Sequence, residues 1–503
     1  AAKEKTLKVM YGWYFDKALK NGNKVTGASF INSRNERMNV FAQIVIDATE
    51  LGDVFASAEA DYDLGMDNSK KSGEQEAVEK NDIIQDLTWA AVLKDYGEGA
   101  DKTIAKPAGY DAKKYYCSTS DAPCNDKPYT LNTQKVLDYG KLTVKTGAPV
   151  KYMLNWPPHG NDYYINVVEQ KPKDREAAYE AAKLQTLGFI YFLQTQLGFK
   201  HIGLADDELN KGMAWMPYNR EGRRVKGEVR LTLNEIKNPY AYALYRTGIS
   251  VGDYPVDHHH AQYPGKVPDI KFPDIPSFNI PLGALIPAKL EGLIVCEKGI
   301  SVSNLANGTT RLQPVVLLTG QAAGVIAASC IKKEIQPRNV STREVQNELL
   351  NSQAYIMPFC DVYPDETSWR AVQFIGSMGM IKGVGKSIDW ENKTYFYPGS
   401  IIKKSVFSQN VKEVLGCELR LSDYSEDAIS FDEMKDFCIQ IRNYVYQKAG
   451  KQMHAADVLK NIAASSFHAP LTNRNAAEIL YAMNDVWALI DFDFNGNIVY
   501  KKK

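Results

Sequence analysis

Residues 282–332 constrain this chain more than any other stretch. Leu293-Ile294-Val295-Cys296 is a short apolar run bounded by glycines, with the length and flanks of a buried parallel strand. After a polar loop, a helix from Gln313 carries Gly320, Ala322, Ala323, Gly324, Ala327 and Ala328. Small side chains on one helical face let a flat group or a second backbone come very close. The first turn of such a helix adds unpaired N–H groups and a partial positive charge, which suit an electron-rich ligand. A tightly packed helix in any α/β protein would carry the same pattern, so both readings stand at this point.

At 503 residues the chain exceeds what one core supports, and two or three domains are expected. The 60 basic and 60 acidic residues cancel, which argues against a nucleic-acid partner and for a small-molecule one. The 29 tyrosines suit a carbohydrate-facing surface and an ordinary core equally. Seven cysteines close no disulfide framework, but Cys117 and Cys124 share a polar loop and would bridge in an oxidising compartment. No Cys/His spacing matches a zinc site, so no metal is expected. The apolar run Val315–Ile331 is interrupted by Thr319, Gly320, Gln321 and Gly324 and reads as too short and too polar for a transmembrane segment. Ala1 without a preceding Met reads as a processed or truncated start.

Along the chain, Lys8–Tyr14 and Val25–Ser33 read as strands joined through Asn21-Gly22-Asn23. Phe41–Thr49 reads as one strand buried on both faces. Residues 66–82 and 97–130 are charged and loop-like. Arg175–Gly198 is an amphipathic helix with apolar positions recurring at three to four. Two later clusters are rich in chemistry: Met216–Gly227, with Arg220, Glu221, Arg223 and Arg224, and Gly252–His260, with Asp257, His258, His259 and His260. Forked guanidiniums hold carboxylates or anionic rings through paired bonds. A His oriented by an Asp can move a proton. A salt-bridged strand edge would explain the arginines equally, and a surface loop the histidines.

Six segments in this order carry a resemblance. They are Asp47-Ala48-Thr49-Glu50-Leu51-Gly52-Asp53, Arg220–Arg224, Asp257–His260, Gly299-Ile300-Ser301, Asn307–Arg311 and Gly320-Gln321-Ala322-Ala323-Gly324. Over residues 5–335 the chain resembles FAD-dependent oxidoreductases of the xanthan-lyase-like bacterial group. The resemblance implies an α/β fold with an FAD/NAD(P)-binding-type core. Residues 1–53 and 281–338 would form that core, 54–280 an inserted mixed α+β substrate domain, and 347–503 a helical C-terminal domain similar to S-layer-homology repeats. The core reads as incomplete at its N-terminus, because no Gly-x-Gly-x-x-Gly follows a strand anywhere in the chain. Glu50 and Glu297 stand where the family has glycine, and Lys298 where it has arginine.

The implied cofactor is FAD, held by Thr49, Gly52, Asp53, Gly299, Ser301, Arg311, Gly320, Gln321, Ala323 and Gly324. The implied reaction is hydride transfer between FAD and a small organic, sugar-derived substrate. Arg220 and Arg224 would anchor substrate or flavin, and Asp257 with His258 or His260 would form the polar pair, Asp257 and His258 handling the proton. The competing reading is a non-catalytic envelope protein that keeps the fold as a scaffold and binds a glycan or cell-wall polymer through its C-terminal region. An extracytoplasmic location, periplasm or cell surface, is the expectation.

Overall fold

A computed structural model describes residues 4–68, 72–74, 79–127, 129–142, 145–170, 172–421, 427–452 and 470–502. Parts of the expected loop at 66–82 and of the C-terminal region lie outside the described residues. The chain is mixed α/β.

The N-terminal part is a three-stranded antiparallel meander, Trp13–Asn21, Lys24–Asn32 and Arg37–Phe41. Its first turn is the expected one, with Gly22 at φ 61° where a Cβ would be strained. The first strand begins at Trp13 rather than Lys8, because its partner ends at Asn32, which pairs with Trp13. The run at Phe41–Thr49 is not one buried strand. It breaks after Phe41, and Val45–Asp47 forms a separate parallel pair with Leu293–Val295. Phe41, at the end of the meander's edge strand, and Ile46, in the parallel pair, both stay exposed.

The helix Gln313–Lys333 lies against this core through Val315, Val316, Thr319, Ala322, Ala323, Ile326, Ala327 and Cys330. Its other face, with Leu317, Gly320, Gln321, Gly324 and Ala328, is exposed. A Cβ built on Gly320 or Gly324 would meet nothing within 4 Å. Against the sequence reading, this helix is long and apolar enough to cross a membrane by length and composition, and 44% of its apolar window is buried within the chain.

The insert builds its own core. Strands Ile202–Leu204, Ala91–Asp95, Lys151–Leu154 and Lys141–Leu142 form an antiparallel sheet in that order. The helix Pro172–Thr195 buries Phe189, Ile190, Phe192 and Leu193 with Leu93 and Tyr115. Cys117 and Cys124 are joined by a disulfide.

The C-terminal helices, Trp369–Met378, Phe431–Lys448 and Asn473–Tyr481 among them, do not form an isolated unit. One continuous apolar cluster runs from Val229 through Ile326 to Phe492. Trp369 and Phe374 are buried as expected, beside a chain reversal at Gly379 whose φ is 87°. The tail is therefore fixed to the body that carries the glycine helix.

Candidate active site

The segment Asp253–His260 has no regular secondary structure and runs between the insert and the start of the glycine helix. In an extended chain alternate side chains share a side. That places His259 beside Asp257, with Nε2 at 3.1 Å from Oδ2, rather than His258. On its other nitrogen His259 meets Asp162, with Nδ1 at 2.6 Å from Oδ2. The imidazole is thus clamped between two carboxylates. Arg311 donates to Asp257 Oδ2 at 2.9 Å, and the Tyr254 hydroxyl reaches the same oxygen at 3.3 Å. Arg220 sits 3.0 Å from Asp162 Oδ1, and Thr88 donates to that oxygen at 2.5 Å.

Electrostatics follow from this arrangement. Burial pushes the Asp257 carboxyl up, but its hydrogen bond to His259 and the charges of His259, Arg311 and Arg220 overcome this and hold it well below the usual carboxylate range. Asp162 is likewise driven up by burial and brought below its ordinary value by Arg220 and His259. Burial and Arg220 disfavour charge on His259, yet Asp162 and Asp257 win and raise its pKa above 6.5. Asp86 is the exception: burial, then the Asp162 charge, push it up to about 7. Its Oδ2 accepts from Gln262 N while Oδ1 has no partner.

The remaining expected proton-handling and anchoring residues are placed differently. His258 is kept neutral by burial, with Nε2 at 3.1 Å from the Asn304 carbonyl and Nδ1 unpartnered. His260 is depressed to about 4, again by burial first. Arg224 is 1% exposed and bound to Glu221 at 2.5 Å and to the Gly65 carbonyl at 2.6 Å. Arg220 therefore belongs to the cluster, and Arg224 serves a separate buried network. Sequence reading missed His259, Asp162, Asp86 and Thr88. The Asp-x-His spacing of Asp257 and His259 was the available signal for the first.

Of the expected cofactor residues, Thr49 and Gly52 shape the turn after Val45–Asp47. Asp47 accepts from Thr49 N, Thr49 Oγ1 and Phe55 N, and Gly52 has φ 72°. Asp53 is held by two-pronged bonds from Arg175 at 2.7 and 2.9 Å and by Arg223 at 3.0 Å, so it ties the insert to the core. Gly299 and Ser301 are buried; a Cβ on Gly299 would press on the Phe55 ring at 2.9 Å. Ala323 is in the core, on the face opposite Gly320, Gln321 and Gly324.

Glu50 and Glu297 are coupled to Lys298. Lys298, with no exposed side chain, pairs with Glu50 at 2.8 Å and Glu297 at 3.0 Å. Glu50 also accepts from Asn219 Nδ2 at 2.8 Å. Its side chain is thereby turned onto the Asn219–Arg224 segment.

A flavin is tested by what surrounds it. The glycine helix offers an open strip at Gly320 and Gly324 where backbone can be approached directly. Arg311, 3% exposed and just before the helix, leaves Nε without a partner. The open strip leaves room for a flat ring to approach the helix backbone, and Gly320, Gln321 and Gly324 are the residues that would line it, while Arg311 bonds Asp257 and Tyr218. No cluster of three or more His, Cys, Asp or Glu among the described residues is arranged to hold a metal.

The sequence model of a family described as FAD dependent oxidoreductase matches residues 1–349. The chain belongs to that family, whose cofactor is FAD. No curated protein and no solved structure matches the chain.

Proposed function

We propose that this member of the FAD dependent oxidoreductase family oxidises or reduces a small organic substrate seated over Asp257 and His259, with the flavin along the open strip of the glycine helix. The observation that carries this is the imidazole clamped between Asp162 and Asp257, with Arg311 joining that pair to the start of the helix. When bound, FAD supplies the hydride acceptor or donor.

The chain's own residues supply the rest. Asp162, fully buried, fixes Nδ1–H of His259 and leaves Nε2 as the nitrogen that exchanges a proton. Asp257, with its side chain 24% exposed, faces the accessible side and stays ionised, so it accepts a hydrogen bond from a substrate O–H or N–H. In the oxidising direction that proton passes to His259 Nε2, which must be neutral. Since flanking carboxylates raise the His259 pKa, the basic form grows only as pH climbs past the ordinary imidazole value. Arg220 and Arg311 balance the two carboxylates and keep the cluster assembled.

The test is anaerobic bleaching of the FAD-loaded protein against small alcohols, amines and reducing sugars. For a compound that bleaches the wild type, His259→Gln should slow the reaction about 100-fold or more. FAD stoichiometry should be unchanged. Equal rates in the two proteins would overturn the assignment. The disulfide adds a proposal on location: a Cys117–Cys124 bridge persists in an oxidising compartment, which supports an extracytoplasmic site.

A further inference from the structure

Five aromatic rings form an arc beside the charged cluster. Tyr129 meets Trp156 at 5.7 Å between ring centroids, Trp156 meets Tyr139 at 4.7 Å, Tyr139 meets Trp390 at 6.3 Å and Trp390 meets Tyr254 at 6.0 Å. The arc is tied to the acids at several points. Burial, then the Asp257 charge, raises the Tyr139 hydroxyl; burial, then Tyr139 and lastly Asp162, raises Tyr129. Tyr254 bonds Asp257 directly.

Trp390 comes from outside the family-matched residues 1–349. It lies between the paired strands Val384–Lys386 and Lys393–Tyr395. Asn392 N donates to the Asp253 carbonyl at 2.9 Å, which pins this hairpin to the segment carrying Asp257 and His259. Trp390 is 58% exposed and Tyr139 53%, an unusual state for large rings with aromatic neighbours. Two polar groups nearby lack partners: the Trp156 Nε1–H and both amide atoms of Asn392, a residue only 2% exposed. Buried polar atoms are almost always bonded, so orphans beside exposed rings point to a ligand that supplies the bonds.

We infer that Trp390 is part of the substrate site, and that the arc it completes takes a ring-shaped polyhydroxylated molecule of the carbohydrate class. The faces of such a ring are C–H surfaces that stack on the electron-rich faces of indole and phenol. Its hydroxyl edge matches Asp257, the Tyr254 hydroxyl and the unpartnered amide. The C-terminal region is then a specificity-determining part of the enzyme. This inference rests on the proposed placement of substrate over Asp257 and His259.

The test is saturation-transfer NMR on the full chain with methyl glycosides of glucose, galactose, rhamnose and glucuronic acid, and with sorbitol as an acyclic control. At least one glycoside should take up saturation at its ring C–H protons, and sorbitol should not. Trp390→Ala and, at the neighbouring ring in the middle of the arc, Tyr139→Ala should each weaken that glycoside about tenfold, with Trp390→Phe recovering most of it. FAD binding and the thermal midpoint should not change. Unaltered glycoside affinity in Trp390→Ala, equal binding of sorbitol, or no glycoside bound by the wild type would each overturn the inference. None of these would affect the flavin reading, which fails separately if the wild type retains no FAD.

Discussion

Replacing His259 by glutamine probes the carboxylate–imidazole–carboxylate cluster, and its cost should depend on pH in a defined direction. In the wild type the imidazolium lies 2.6 Å from Asp162 and 3.1 Å from Asp257. Unit charges about 3 Å apart at an effective dielectric of about 20 attract by roughly 5 kcal/mol before desolvation is subtracted. Removing one partner from a buried pair costs about 3–5 kcal/mol, and a glutamine amide that keeps one hydrogen bond returns about 1 kcal/mol. A loss of about 3 kcal/mol is therefore expected near pH 6. The folded pKa of His259 is raised above 6.5, so its contribution is complete below that value and disappears as pH rises through the folded pKa. At about pH 9 the variant should lie closer to the wild type, by about 1.4 kcal/mol for each unit the pKa was raised. Urea unfolding followed by tryptophan fluorescence at the two pH values measures the difference. An equal loss at both would refute the claim that His259 is held as a cation between two acids.

Asp86→Asn should act with the opposite sign. A carboxyl whose folded pKa is about 7 rather than 3.8 loses stability as pH rises between those values, so the variant should gain up to about 4 kcal/mol over the wild type at pH 8 and little at pH 4; a variant less stable at pH 8 would contradict the shift. Reduction of Cys117–Cys124 should cost about 2.5 kcal/mol through the short loop it closes, visible as a lower urea midpoint in reductant. Gly320→Ala, placed mid-helix with open space around its Cβ, should raise stability by about 1 kcal/mol. A drop in its thermal midpoint would mean that this face is not open.

Local signals made much of this molecule legible in the sequence. The periodicity at 175–198 gives the helix Pro172–Thr195, and Gly22 and Gly379 mark turns that need positive φ. The Leu293–Val295 strand and the Gln313–Lys333 helix are set by apolar run length and by small-residue spacing. Long-range assembly was less readable. Asp86 and Asp162 join His259 from far upstream, and nothing in their neighbours announces it. Three consecutive histidines in an irregular segment left their directions open until packing turned His258 toward Asn304 and His259 toward the acids. Glu50 and Glu297 looked like isolated departures from glycine, yet each is one arm of a buried pair on Lys298. The Phe41–Thr49 run has the composition of a doubly covered strand, and composition alone does not say what covers it.

The central claim is that a flavin lies on the open strip of the glycine helix. The most direct measurement is the visible absorption of protein incubated with FAD and desalted, for the wild type and Gly320→Leu side by side. The wild type should keep the flavin bands, and the variant should lose them with no fall in thermal midpoint, because leucine fills the strip without touching the core. A colourless wild type, or a variant that keeps as much flavin, would contradict the account.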